Sequence, residues 1–166
     1  MQVPRSGPYR INGVANHGGV WIRNLTISGG RLTGLVGLKI KGIKGYQGGH
    51  DLDGVLLAGD FDLLLSGGVP GKGMVTANVI AATSCRLRIQ TDDADIRLSV
   101  MPDPSTGIDA TARSKGSLRI ELEGPPRVPK AGGEISARTN GYESKPVRLN
   151  VNAASSSGNI TVVSSM

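Results

Sequence analysis

Between Cys85 and Val162 apolar residues recur at every second position, in short runs broken by Gly, Pro, Asn and Asp. Ser117 to Glu123 shows the pattern most cleanly: Leu118, Ile120 and Leu122 face one way, and Arg119, Glu121 and Glu123 the other. A β-strand sends successive side chains to opposite faces, so this alternation describes a strand with one face buried. It recurs at Cys85, Leu87 and Ile89; at Ile96, Leu98 and Val100; at Ile108, Ala110 and Ala112; at Ile135 and Ala137; at Val147, Leu149 and Val151; and at Ile160 and Val162. Seven short strands are predicted. Between them stand Asp92-Asp93, Pro102-Asp103-Pro104, Lys115-Gly116, Gly124-Pro125-Pro126, Gly132-Gly133, Asn140-Gly141 and Ser157-Gly158, all of them residues that favour turns.

Residues 20–27, 35–43 and 52–65 are more continuously apolar and predict strands buried on both faces. Leu63-Leu64-Leu65 would suit a helical turn, but Gly54, Gly59, Gly67 and Gly68 crowd it, and each interior Gly costs a helix about 1 kcal/mol. Glycine supplies 25 of the 166 residues, while Trp, Tyr and Phe together supply five, so the core must be thin and aliphatic. Both facts favour an all-β chain with a β-solenoid-like or stacked-sheet architecture and Gly-rich turns, with a β-sandwich as the alternative. One domain over residues 1–166 is expected, with a sub-boundary near 66–73, where Ser66-Gly67-Gly68-Val69-Pro70-Gly71-Lys72-Gly73 reads as an exposed loop.

One phrase recurs: a small residue, one position, Gly, one position, then an aliphatic residue. Ser114-Lys115-Gly116-Ser117-Leu118-Arg119-Ile120 and Ser156-Ser157-Gly158-Asn159-Ile160-Thr161-Val162 carry it, and Thr91-Asp92-Asp93-Ala94-Asp95-Ile96-Arg97-Leu98 is a degenerate copy. Residues 83–163 thereby resemble a bacterial adhesin family whose repeated Gly-rich strands build a β-solenoid-like stack. The resemblance implies surface attachment, envelope-stress sensing or a scaffold role, and it supplies no catalytic residues.

Charge is unevenly placed. Residues 1–50 hold seven Lys or Arg and no carboxylate, residues 51–100 hold four against seven, and residues 101–166 hold eight against six. Basic Arg23, Arg31, Lys39, Lys41 and Lys44 are followed directly by acidic Asp51, Asp53, Asp60 and Asp62, and these nine residues form the candidate interaction surface. Opposite charge at the two ends of a strand stack would attract a further copy head to tail, giving a homo-oligomer or filament. The same basic section suits an anionic polysaccharide or other polyanion. Specific nucleic-acid binding is not expected, because stacking aromatics are scarce and no zinc-finger, helix-turn-helix or RNP motif is present.

No catalytic centre, cofactor or metal site is predicted. Gly71-Lys72 lacks the earlier Gly and the following Ser or Thr of a phosphate loop. His50-Asp51-Leu52-Asp53-Gly54 gathers a His and two carboxylates but lacks the spaced oxygen ligands of a calcium loop, and a polar turn is the simpler reading. His17 and His50 would form a base or ligand pair only in a fold that brings them together. Cys85 alternates with Leu87 and Ile89 on the buried face, where a thiol is inert. The start of the chain has no apolar signal segment and no run reaches membrane-spanning length, which suits a cytoplasmic protein, or a cell-surface one whose signal or anchor has been removed. The expected function is non-enzymatic and structural or adhesin-like, through self-association or cell-surface contact. An anionic-polysaccharide module and an enzyme of unrecognised type are the alternatives.

Overall fold

The computed structural model describes residues 8–15, 21–35, 49–66, 74–122 and 129–164. Twelve strands run through them: β1 (Tyr9–Ala15), β2 (Trp21–Arg23), β3 (Thr26–Leu35), β4 (Gly49–Leu57), β5 (Phe61–Ser66), β6 (Met74–Ala81), β7 (Cys85–Thr91), β8 (Asp95–Val100), β9 (Thr106–Glu121), β10 (Lys130–Arg138), β11 (Val147–Ser155) and β12 (Ile160–Val163). The only helical element among the described residues is a single 3-10 turn at Tyr142–Ser144. The chain is all-β.

Each early strand pairs in parallel with the strand two places before it. β1, β3, β5 and β7 form one column, and β2, β4, β6 and β8 form the other. Parallel strands need a crossover to bring the chain back to its starting side. Here that crossover is the strand of the opposite column, so both legs of each circuit bury apolar side chains. Nine of the parallel strands form a closed ring, β3-β5-β7-β11-β9-β12-β8-β6-β4, completed where Thr26 and Ile27 pair with Leu56 and Leu57.

The last circuit leaves sequence order. From β8 the chain runs into the 16-residue β9, turns back in the antiparallel β10, and returns as β11 and β12, which lie between β9 and the β7–β8 circuit. β11 pairs with β7 and with the first half of β9, and β12 pairs with β8 and with the second half of β9. Lys115-Gly116, predicted as a turn, is therefore a corner inside one continuous strand. Gly132 and Gly133, at φ 65° and 94°, make a bulge within β10 rather than a turn before it.

The inward residues form one aliphatic core. Phe61, Leu63, Leu87, Ile89, Ile96, Leu98, Leu118 and Ile160 are almost wholly shielded, each contributing roughly 1.5–3 kcal/mol of transfer free energy. The alternation predicted for β7, β8, β11 and β12 is observed, while Ile135 and Ala137 of β10 pack only partly against the core. In the N-terminal half the expected burial on both faces gives way to alternation interrupted by bulges. Residues 52–65 break at Ala58-Gly59-Asp60 into β4 and β5, and Gly54 at φ 61° sits in a register shift of β4. Asn24, at φ 50°, separates β2 from β3. Leu63-Leu64-Leu65 is strand, and the expected strand at 35–43 lies outside the described residues beyond Leu35.

The recurring Gly phrase marks one corner of three stacked circuits. Leu118 pairs with Ile160, which pairs with Ile96, and this places Gly116, Gly158 and Ala94 above one another. A side chain does not fit between these layers: a Cβ on Gly158 would stand 2.1 Å from the Ala94 carbonyl oxygen, and one on Gly116 would stand 2.6 Å from that of Gly158. Buried hydroxyls stitch the corner. The Thr91 and Ser155 hydroxyls donate to the Ala94 carbonyl at 3.0 and 3.1 Å, and the Ser114 hydroxyl donates to the Gly158 carbonyl at 2.6 Å.

Candidate functional site

The outward face of the β1–β3–β5–β7 column carries cross-strand rows of polar residues. Register alone aligns Asn12, Arg31, Asp62, Arg88 and Asn152 on five neighbouring strands. A second row places Asp60, just ahead of β5, beside Arg86, and continues through Asn150 and Asp109 to Arg138. Facing residues of opposite charge stabilise neighbouring strands by a few tenths of a kcal/mol to about 1 kcal/mol each.

The second row has no side chain on β3, where Gly29 and Gly30 have φ of 132° and 135°, values that favour glycine. Gly29 is the register partner of Arg10. A Cβ on Gly29 would meet the Asp60 carbonyl oxygen at 2.9 Å, and one on Gly30 would meet that of Ile11 at 1.9 Å. Because β3 carries no side chain here, a groove of about 440 Å³ opens between β1 and β5, lined by Arg10, Asn12, Arg31, Asp60, Asp62 and Arg86 together with Ser28 and the two glycines.

The groove's charges are held in defined positions. The Asp60 carboxylate accepts the Arg86 backbone N–H at 2.7 Å, and the Asn12 side-chain oxygen accepts that of Arg31 at 3.1 Å. Arg31 Nη2 donates to Asp62 Oδ2 at 3.3 Å, while Arg86 Nη2 lies 3.7 Å from Asp60 Oδ2 and 3.9 Å from Asp62 Oδ1. The Asp62 side chain is only 11% exposed, against 61% for Arg31 and 50% for Arg86. Asp62 Oδ1 is fully covered and accepts no hydrogen bond. At 3.9 Å, Arg86 neutralises its charge without satisfying its lone pairs.

Of the nine residues expected to form an interaction surface, the structure brings together Arg31, Asp60 and Asp62. They lie on the flank of the strand column and pair within the molecule, rather than at its two ends. Arg23 and Asp53 are register partners on β2 and β4, and Asp51 pairs with Trp21, all in the other column. Lys39, Lys41 and Lys44 lie outside the described residues, as does His17, while His50 belongs to β4. Among the described residues no group of three or more His, Cys, Asp or Glu is arranged to hold a metal ion. Arg10, Asn12 and Arg86 went unread in the sequence. The alternation around Arg86 shows that it faces outward, but only a strand partner 26 residues away reveals that it faces Asp60.

A second cluster closes the far end of the wall, where Arg138 donates to Asp109 at 2.5 Å and to Glu143 at 3.1 Å and stacks 4.7 Å above the Tyr142 ring. The Asp109 hydrogen bond is the main reason why the Arg138 pKa rises further. A smaller cavity of about 230 Å³ lies between β9 and β10, against Leu118, Ile120 and Ile135. Cys85 is buried, and loss of hydration, with a smaller effect from Asp60, pushes its thiol up to about 11. Its sulfur is therefore overwhelmingly protonated at neutral pH.

Comparison with family models, with curated proteins and with solved structures gives no match. Among the described residues no helix is long and apolar enough to cross a membrane.

Proposed function

We propose that this chain is a non-enzymatic, adhesin-like structural protein, wound as a solenoid, that acts by contact with a further copy of itself or with a cell surface. The supporting observation is the in-register pairing of each early strand with the strand two before it, which turns successive circuits into one continuous polar wall. The two ends differ. Among the described residues β1 pairs with β3 alone, and its Val14 is 68% exposed. At the other end β9 is covered by β10, which carries Lys130, Glu134, Arg138 and a Gly-Gly bulge. The β1 end of one copy would meet the β10 end of the next, where the exposed Glu134 and Glu143, paired within the molecule to Arg113 and to Arg138 and Arg148, would exchange partners with Arg10. Light scattering at low salt and high protein concentration is the test. Assemblies that shrink as salt rises, and that Val14→Lys reduces, support the reading; a strict monomer under those conditions contradicts it.

A second reading, contact with an anionic polysaccharide, is favoured by the groove, where three guanidiniums face two carboxylates.

A further inference from the structure

The geometry points to the outer edge of β10 as a self-complementary contact, through which two copies of this chain join about a twofold axis at Ser136. This rests on the self-association reading and adds to it a closed pair that competes with head-to-tail contact for the same edge.

Among the described residues β10 pairs with β9 alone, so its second edge is open. The Thr139 N–H donates to the Ile108 carbonyl at 2.9 Å. Antiparallel bonds alternate along a strand, so Ile135 and Ala137 also bond to β9, while the backbone groups of Glu134, Ser136 and Arg138 point away from it. The Glu134 carbonyl accordingly accepts Lys130 Nζ at 3.2 Å. An edge of this kind is a template for a further strand.

Side chains decide which strand suits it. Glu134, Ser136 and Arg138 stand on the outer face at alternate positions, opposite Arg113, Thr111 and Asp109 of β9. An acid, a neutral residue and a base in that order complement themselves when reversed. Antiparallel pairing with a second β10, centred on Ser136, sets Glu134 against the partner's Arg138, Arg138 against the partner's Glu134, and Ser136 against its own copy. Rows of alternating sign then cross the axis, each running from Arg113 through Glu134 to the partner's Arg138 and the partner's Asp109. The internal ion pairs stay in place, since Glu134 keeps Arg113 and Arg138 keeps Asp109. Centring the pair on Glu134 or on Arg138 instead sets like charges face to face, which is destabilising. On the other face Ile135 meets the partner's Ala137. Both side chains are only partly buried, beside the cavity of about 230 Å³ against Leu118 and Ile120, and the contact continues that apolar strip across the axis. Such a contact is isologous and closes on itself. It leaves no β10 end for β1 to meet, so the pair limits head-to-tail growth.

The test is sedimentation velocity over a wide concentration range at physiological salt. The samples are the wild-type chain, Val14→Lys, Ser136→Lys, Ser136→Asp, an equimolar mixture of these last two, and Ser136→Pro. Ser136 is exposed, so its replacements should leave the circular dichroism spectrum unchanged, and Pro there removes only an N–H that points away from β9. The wild type and Val14→Lys are expected to form a dimer. Ser136→Lys or Ser136→Asp alone puts like charges opposite each other at the axis and is expected to weaken the dimer about tenfold or more, while the mixture, with Lys facing Asp, restores it. Ser136→Pro is expected to weaken it likewise. A dimer that all three single replacements of Ser136 retain overturns the interface, as does a mixture that associates no better than its components. Loss of all association in Val14→Lys overturns the closed pair and leaves the head-to-tail reading standing. A wild-type chain that stays monomeric throughout overturns both.

Discussion

Replacing Gly158 by Ala puts one methyl group where two backbone layers touch. Its Cβ would stand 2.1 Å from the Ala94 carbonyl oxygen, 2.5 Å from that carbonyl carbon and 2.9 Å from the Asp95 nitrogen, all of them backbone atoms without rotamers to yield. Approaching an ordinary contact of ~3.5 Å requires the β11–β12 circuit to move off β7–β8 by about 1 Å. Forcing a methyl into a packed interior costs about 1–3 kcal/mol. The shift also strains two hydrogen bonds that cross the same seam, from the Ser155 hydroxyl to the Ala94 carbonyl at 3.1 Å and from the Ile96 N–H to the Asn159 carbonyl at 2.8 Å. At about 1 kcal/mol each, these bring the expected loss to roughly 3–5 kcal/mol. For a chain of this size that lowers the melting temperature by roughly 6–20 °C. Urea unfolding followed by circular dichroism measures the loss directly, and Gly13→Ala is the control. A Cβ there meets only Leu32 Cδ1 at 3.4 Å, so a change within about 0.5 kcal/mol is expected. A Gly158→Ala loss below 1 kcal/mol, or one equal to that of Gly13→Ala, would refute the claim that steric contact between circuits fixes this glycine.

Ser155→Ala removes the acceptor of the Gly158 N–H and a donor to the Ala94 carbonyl, and is expected to cost about 1–3 kcal/mol in the same urea assay. Ser155→Thr should cost less, since Thr91 fills the equivalent place one circuit away; equal losses would deny the hydroxyl its role. Phe61→Ala, at a fully buried site, should cost about 3–5 kcal/mol, and a loss below 1 kcal/mol would show that the core is not packed around it. At pH 8 the Cys85 thiol should react with a disulfide reagent about a hundredfold more slowly than cysteine in the urea-unfolded chain, because its pKa is raised from 9.0 to about 11. The raised value also sets a sign: the stability associated with a protonated Cys85 is complete below pH 9.0 and declines as pH climbs towards about 11, since the unfolded chain releases this proton first. Cys85→Ala should flatten that part of the pH profile, and an unaltered slope would count against the raised pKa.

Strand content was legible because alternation is local: Cys85, Leu87 and Ile89 reveal their common face within five residues. Partnership was not. Parallel neighbours lie 18 to 64 residues apart, as Tyr9 with Ile27 and Leu149 with Cys85 show, and no short-range pattern records such a distance. The Gly phrase identified the three circuits that stack, yet it suggested a turn at Lys115-Gly116, because the same missing side chain serves a tight turn and a close approach of two backbones. The charge blocks suggested opposed ends. Asp60 and Asp62 instead face Arg31 and Arg86 from neighbouring strands, a placement that follows from register and not from sequence order. Asp62 could not have been singled out, since its burial depends on side chains from β3 and β7.

The placement of β11 and β12 between β9 and the β7–β8 circuit fixes the whole outer wall, and methyl-labelled NMR can test it in solution. Val162 is in register with both Leu98 and Ile120, so its methyls should show strong contacts to both, while Leu98 and Ile120, two strand spacings of roughly 4.8 Å apart, show none or nearly none. A strong direct contact between Leu98 and Ile120, with Val162 in contact with only one of them, would mean that β9 stacks on β8 in sequence order, and would contradict the architecture described above.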